Sequence, residues 1–346
     1  MIKHSIIIPT SGRPSAIISA INFLLVTSPE LHHAEILVID NNESEELSAD
    51  LSAYCQSIYG KIHYFRETSP GLTAARHRGF IESQGDILTF LDDDVEVSSS
   101  WLSAIQNAFL NPEVALVGGP SIPNFTSSIP SWFWDYFTST PYGGWMCGWL
   151  SLLDIGHDVI NINPNYIWGL NFSIRKSVLK KCRGFHPDLV PFHMQRWQGD
   201  GETGLTQKIK TAGYRSDYVQ DALVRHLCGS DRLNIEYFKK RAFYQGVCDS
   251  FTQIRAGQTP LSAIISKENV SAYKHIKFII GKIFRQLKNK GSYWAIEGST
   301  VKKLTDQANH EGWLFHQREV AADSALLAWV RQPDYIDAVI PKVKMR

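Results

Sequence analysis

Gly85–Glu96 reads GDILTFLDDDVE, a short apolar run that passes straight into three consecutive aspartates. Ile87, Leu88, Phe90 and Leu91 have the composition of a strand covered on both faces, as in a parallel sheet flanked by helices. Asp92, Asp93 and Asp94 cannot be buried together uncompensated, because neighbouring carboxylates oppose one another's ionisation. A cationic partner is therefore expected beside them. Strand C-termini at the mouth of an open α/β sheet are where ligands bind, and hard carboxylate oxygens suit Mg²⁺ or Mn²⁺ together with a phosphorylated ligand. The alternative for the same residues is a solvated acidic turn.

Upstream of this strand the chain alternates between two periods. Ser5–Pro9 reads as a strand, and Arg13-Pro14 opens a helix in which Ile17, Ile18, Ile21, Leu24 and Leu25 recur at helical spacing. Glu35–Asp40 is a second buried strand, Glu45–Tyr59 a helix and Ile62–Phe65 a third strand. The turn Ser69-Pro70-Gly71 then leads into a helix over Gly71–Ser83. Repeated units of this length imply parallel pairing through right-handed crossovers.

Downstream, Trp101–Leu110 reads as a helix and Val114–Gly118 as a strand, after which the pattern breaks. Residues 120–156 hold Trp132, Trp134, Trp145 and Trp149 with five further aromatic residues among Pro, Gly and Ser, with no regular period. Such an insertion is either a functional loop or a patch covered by another element. Regular structure is expected again at Tyr166–Ile174, near Lys176, at Gly201–Ala212 and at Tyr218–His226, followed by a mainly helical region. The expected organisation is an α/β domain over residues 1–230 and a helical region over 231–346.

Composition excludes several classes. The 346 residues are 44% hydrophobic and 20% charged, enough for one large core with an appendage. Lys and Arg number 35 against 34 acidic residues, so no basic field points to a nucleic-acid partner. Cys55, Cys147, Cys182, Cys228 and Cys248 are scattered without a Cys-x-x-Cys pair, which argues against a disulfide framework and a zinc site and for a reduced, cytoplasmic setting. The opening MIKHSIIIPT is too short an apolar segment for a signal peptide, and no stretch reaches the roughly 18–20 apolar residues of a spanning helix. Lys274–Lys303 carries eight Lys or Arg against Glu297, with Ile276, Ile280, Ile283, Phe284 and Leu287 forming an apolar stripe. That pattern suits either packing on its own domain or peripheral contact with the inner face of the cytoplasmic membrane.

Seven blocks in order, SIIIPTSGRP, EILVIDNN, SPGLTAARHRGF, GDILTFLDDDVEVSSSWL, WGLNFSIRKSVLKKCRGFHPDL, GDGETGLTQKIKTAGY and DALVRH, resemble the family 2 glycosyltransferases over roughly residues 4–228. The resemblance implies the GT-A fold, a Rossmann-like, mostly parallel central sheet flanked by helices. It also implies inverting, metal-dependent transfer from a nucleoside-diphosphate sugar to a hydroxyl of a glycan or lipid-linked acceptor, in surface- or exopolysaccharide assembly. A UDP-sugar donor is favoured over a GDP- or TDP-sugar, with Mn²⁺ or Mg²⁺ as cofactor. Two rival readings stand beside it, a nucleotidyltransferase acting on a sugar phosphate and a non-catalytic nucleotide- or glycan-binding module.

Site roles follow from the resemblance. Pro9, Thr10 and Arg13 border the nucleoside, and Asp40 lies against the base. Gly71 and Arg76 approach the nucleotide, where a helix N-terminus offers N–H groups to anionic oxygen. Asp92 faces the ribose and sugar, Asp93 supports it, and Asp94 holds the metal with Asp92 and His226. Glu202 is the first candidate for the general base and Asp200 the second. His77 stands where relatives commonly have Asn and is read as structural. Trp168, Gly169 and Asn171 underlie the sugar and acceptor, and the aromatic insertion, through Trp145 and Trp149, is expected to wall the acceptor side.

Overall fold

The computed structural model describes residues 3–28, 31, 34–58, 62–186, 188–258, 260 and 298–333. Along the chain, β1 (His4–Thr10), α1 (Pro14–Thr27), β2 (Ala34–Asp40), α2 (Glu45–Ser57), β3 (Ile62–Arg66), α3 (Leu72–Glu82) and β4 (Ile87–Leu91) alternate regularly. Next come β5 (Val95–Val97), α4 (Trp101–Ala108), β6 (Val114–Gly118) and the short strands β7 (Ser121–Phe125), β8 (Thr138–Ser139), β9 (Trp145–Cys147) and β10 (Leu152–Asp154). They are followed by β11 (Asn171–Arg175), α5 (Lys176–Lys181), α6 (Thr203–Thr211), β12 (Arg215–Tyr218) and β13 (Val224–Cys228). Three helices complete the described chain: α7 (Ile235–Arg255), α8 (Gly298–Ala322) and α9 (Ser324–Val330).

Seven strands form the main sheet in the order β12-β6-β11-β4-β1-β2-β3. β1 pairs in parallel with both β2 and β4, as the repeated strand and helix units require. Alternate residues feed two cores. Ile6, Ile8, Val38 and Leu91 pack with α1 and with Trp101 and Ile105 of α4, while Ile7, Leu37, Leu88 and Phe90 pack with Ala75, Phe172, Phe185 and Leu205. Gly79 on α3 has no side chain because a β-carbon there would lie 2.3 Å from Ile7 Cγ2.

Three departures from the sequence reading have local causes. β11 runs antiparallel between β4 and β6, because no crossover helix precedes it and the chain re-enters the sheet from the opposite end. It also begins only at Asn171, since Pro164–Tyr166 forms a single 3₁₀ turn. The run Tyr218–His226 divides between two sheets: the turn closed by Ala222 N donating to Val219 O (3.1 Å) separates β12 from β13. The second sheet, β5-β13-β7-β10-β9-β8, is built largely from the aromatic insertion, whose strands of two to five residues are too short to display a period.

Two compact units are present. One contains the described residues up to Ile129, Tyr136–Leu233 and Pro333; the other contains Pro130–Asp135 and the described part of Asn234–Gln332. In the second unit Trp132 meets Phe238 edge-to-face with ring centroids 5.0 Å apart. There α7 and α8 approach closely at Gly246 and Gly312, where β-carbons would lie 1.8 Å from Asn309 O and 2.0 Å from Phe243 O. No helix among the described residues is long and apolar enough to cross a membrane. The basic stripe Ile276–Lys288 lies outside the described residues.

Candidate active site

A cavity of about 630 Å³ opens at the C-terminal ends of β1, β2 and β4, lined by Thr10, Gly12, Arg13, Asn42, Asp92 and Asp93 among others. Pro9 and Gly71 also line it, so six of the expected nucleotide residues meet at one place. Its walls are held by side chains of the β2–α2 loop. Asn41 Nδ2 donates to Glu67 O and Ser69 O (both 2.8 Å), and Asn41 Oδ1 accepts from Gly71 N (2.9 Å). Asn42 Oδ1 accepts from Gly12 N, fixing the glycine (φ +71°) that turns the chain into α1.

Asp40 and Arg76 sit elsewhere than the sequence reading put them. Asp40 is fully buried beneath the cavity, with Oδ2 accepting from Tyr64 OH (2.6 Å) and Oδ1 from Asn42 N and Nδ2 (2.9 and 2.6 Å). Three of its roughly four lone-pair positions accept from Tyr64 and Asn42. Arg76 is 1% exposed and lies under the cavity floor, bonded to Glu202 and to Asp92 (3.3 Å), with its guanidinium 5.7 Å from the Phe185 ring centroid. Two N–H groups at the start of α3 have protein acceptors: Gly71 N donates to Asn41 Oδ1 and Leu72 N to Leu189 O (2.9 Å). Only glycine fits at position 71, because φ is +120° and a β-carbon would lie 2.5 Å from Leu189 O.

The triplet is charge-compensated by arginines. Thr10 Oγ1 donates to Asp93 Oδ2 (2.6 Å), and Arg13 bridges Asp93 Oδ1 and Asp94 Oδ2, the latter at 2.6 Å. Arg232 reaches Asp94 Oδ2 and His226 Nε2, and Arg76 holds Asp92. The counter-charge expected from a metal is thus supplied by three guanidinium groups, whose fixed charge suits partly buried carboxylates. Burial pushes the Asp93 carboxyl up to about 7 against the opposing pull of Arg13. Burial also acts to raise Asp94, but His226 when protonated, with the Arg232 and Arg13 guanidinium groups, outweighs it and holds that carboxyl far below the usual range.

Topology brings Asp94 to His226. β5 pairs antiparallel with β13, setting Val95 opposite His226, and Leu227 N donates to Asp94 O (3.0 Å). His226 Nε2 lies 3.5 Å from Asp94 Oδ1, an oxygen with no hydrogen-bond partner. Nδ1 of His226 donates to Leu150 O (2.8 Å), and in the neutral ring the Nε2 lone pair accepts from Arg232. Asp92 is drawn to Arg76 instead, and no cluster of three or more His, Cys, Asp or Glu groups arranged to hold a metal occurs among the described residues.

Glu202 precedes the first turn of α6, and Oε1 pairs with Arg76 through the space left by Gly169, where a β-carbon would lie 1.9 Å from that oxygen. Asp200 is buried in the same loop, whose turn is held by Gly201 N donating to Asp188 Oδ1 (3.2 Å). Trp168 Nε1 donates to Asn165 O (3.0 Å), leaving its ring partly exposed. Asn171 is buried, with Oδ1 accepting from Trp101 Nε1 (3.0 Å) and Nδ2 donating to Ala222 O (2.7 Å). Trp145 lies on β9 against Phe137 (centroids 5.2 Å apart), and Trp149 lies against Tyr136 (5.8 Å). His77 Nε2 accepts from Phe185 N (2.7 Å) and so serves the backbone. Sequence reasoning missed Arg232, since an arginine six residues past β13's histidine matches no spacing rule.

The model of the family described as "Glycosyl transferase family 2" matches residues 5–183. The chain is 22% identical over 214 residues to a glucosyl-dolichyl phosphate glucuronosyltransferase of Haloferax volcanii, an alignment covering 61% of this chain and 64% of that protein. It is 36% identical over 241 residues to polypeptide N-acetylgalactosaminyltransferase 5 of Mus musculus, covering 63% of this chain and 24% of that protein. The chain thus spans less than two thirds of the length of either relative. Among solved structures, a mannosyltransferase from Pyrobaculum calidifontis in complex with GDP-Man and Mn²⁺ superposes with a TM-score of 0.51 at 15% identity, over 95% of this chain and 86% of that one.

Proposed function

The chain belongs to glycosyl transferase family 2 and has the GT-A fold, and from that premise we propose that it is an inverting, metal-dependent glycosyltransferase. It moves one sugar from a nucleoside diphosphate to a hydroxyl of a glycan or lipid-linked acceptor, in surface- or exopolysaccharide assembly on the cytoplasmic side of the membrane. The observation that carries this reading is the cavity at the strand C-termini, where Arg13 (47% exposed) and the Asp92–Asp93 carboxylates face one space. A diphosphate needs a cation and a ribose needs hydrogen-bond acceptors; both are present there.

Inversion requires in-line attack. The acceptor oxygen bonds to the anomeric carbon as the bond from that carbon to the phosphate oxygen breaks; its electron pair leaves with the diphosphate, and the hydroxyl proton passes to a carboxylate. Glu202 is the base in this reading, because Arg76 fixes Oε1 while Oε2 has no protein partner among the described residues. Asp200 is second. The half-buried Trp168, which packs against both cores, is the residue proposed as a platform for a sugar ring. The turn Gly148–Leu150 touches His226 through Leu150 O, which supports an acceptor wall formed from Trp149 and Trp145.

The residues present fit a divalent cation. Asp94 Oδ1 lacks a hydrogen-bond partner, and His226 presents its Nε2 lone pair beside it while Nδ1 is anchored to a carbonyl, the arrangement that orients a ligating histidine. Asp94 and His226 are the residues proposed to hold Mn²⁺ or Mg²⁺, which when bound supplies positive charge to the leaving diphosphate. The named complex of the mannosyltransferase neighbour with Mn²⁺ is consistent with this.

Calorimetry with UDP, GDP and TDP, each with and without Mn²⁺, tests the reading. At least one diphosphate is expected to bind more tightly with the metal, and Asp94→Ala to lose that gain. Glu202→Gln is expected to retain donor binding and lower transfer by about 10²–10⁴-fold. Indifference of all three diphosphates to Mn²⁺ sinks the metal part; undiminished transfer by Glu202→Gln moves the base to Asp200.

A further inference from the structure

Arg232 lies in the turn that follows β13, where Arg232 N and Leu233 N both donate to Gly229 O (3.0 Å each). Its side chain is 15% exposed and its guanidinium contacts two groups at once, Asp94 Oδ2 and His226 Nε2. Those are the two residues proposed to hold the dication. A lone pair on Nε2 accepts either an arginine N–H or a metal, never both, and a guanidinium left beside a dication is repelled by it. Arg13 also bonds Asp94 Oδ2, and among the described residues Arg232 is the one that bonds both members of the pair.

We propose that Arg232 is a gate for the cation: it closes the Asp94–His226 pair in the metal-free protein and is displaced when the metal enters. This rests on the reading of Asp94 and His226 as the metal-holding residues. The gate makes cation binding a competition, so the free protein binds Mn²⁺ weakly. A diphosphate relieves the competition, because it gives the displaced guanidinium new anionic oxygens to bond. Metal and donor are thereby coupled: each raises the affinity for the other by the same factor. A turn with local backbone bonds is the right place for such a side chain, since a swing of the guanidinium leaves both sheets undisturbed.

The test is a titration of Mn²⁺ followed by electron paramagnetic resonance, where bound metal loses the free-ion signal, with and without UDP or GDP. Arg232→Gln is expected to bind Mn²⁺ at least about tenfold tighter than the unaltered protein without nucleotide, the change produced by removing ~1.4 kcal/mol of competition. The enhancement of metal binding by the diphosphate is expected to shrink by the same factor. Adding His226→Gln to Arg232→Gln is expected to abolish the gain. If the unaltered protein binds Mn²⁺ and Arg232→Gln binds it no tighter, the gate is overturned while the metal reading stands. If no form binds Mn²⁺ even with diphosphate, the metal reading fails and the gate with it. Thermal unfolding of each variant verifies folding, and Arg232→Lys, a cation with a single point of contact, is expected to fall between the other two.

Discussion

A β-carbon at position 169 has nowhere to go without displacing Glu202 Oε1 (1.9 Å away) or Arg76 Nη2 (2.3 Å). Both obstacles are ends of flexible side chains, so Gly169→Ala can fold, but only by breaking the pair that positions the proposed base. Since a misplacement of about 1 Å can cost 10²-fold in rate, this variant is expected to lose about two orders of magnitude in transfer. Its melting temperature is expected to fall as well, because Arg76 is 1% exposed and loses a charged partner. Steady-state kinetics with an unchanged rate would remove Arg76–Glu202 from the machinery. Arg76 matters in a second way, because the same guanidinium bonds Asp92 and so ties the donor side of the site to the acceptor side. Neither partner was assigned to Arg76 by motif reasoning, which sent it to the nucleotide. The signal it offered, an arginine in an otherwise apolar-facing helix, tells of a buried partner without saying which.

Helix α3 shows how one element assembles a site. Leu72 N donates to Leu189 O, Thr73 Oγ1 accepts from Leu189 N (3.3 Å), Arg76 binds Glu202, and His77 Nε2 accepts from Phe185 N. Positions 72, 73, 76 and 77 share one helical face, so a single helix fixes the segment that carries Asp200 and Glu202. The helical unit depends on close approach instead. Gly246→Ala would drive a β-carbon to 1.8 Å from the backbone oxygen of Asn309, and backbone cannot step aside as a side-chain tip can. Overpacking of this kind costs about 1–3 kcal/mol, with a rigid obstacle toward the upper end. Gly148→Ala, where nothing lies within 4 Å, is the matched control and is expected to be near neutral. Denaturant unfolding that ranks the two variants equally would show that α7 and α8 do not pack through these glycines.

Over the whole molecule, desolvation acts on the ionisation of three of the described histidines, His4, His77 and His316. Burial lowers His4 and His316 from 6.5 to about 4, and His77 is lowered to about 4 by burial and by the nearby His186. In each case the folded value lies below the unfolded one, so the unfolded chain binds the extra proton between them. Their contribution is complete above about pH 6.5 and is lost as pH falls toward 4. Asp93, raised to about 7, acts in the opposite direction over much of that window, so the total profile is a difference. Single Gln variants at His4, His77 and His316 isolate each histidine. The unfolding free-energy gap between the unaltered protein and each variant is expected to narrow by up to about 1.4 kcal/mol per pH unit from pH ~6.5 downward. A gap that stays constant with pH would show that these imidazoles are not held neutral. The alternation of buried strands and amphipathic helices from Ser5 to Leu91 was readable in the sequence, because local periodicity records which faces are covered. The positions of Thr10 and Arg13 beside a nucleotide, with Asp93 in support, came from the family resemblance rather than from periodicity; the three line one cavity. Tertiary structure alone decided the rest: that Asp94 meets His226 through β5–β13 pairing, that Arg232 spans 138 positions to reach Asp94, and that Arg76 spans 126 to reach Glu202. Periodicity reports which side of an element is buried and carries no information about which distant residue covers it. The partner of each charge at this site is therefore settled only when the second sheet closes against the ends of the first.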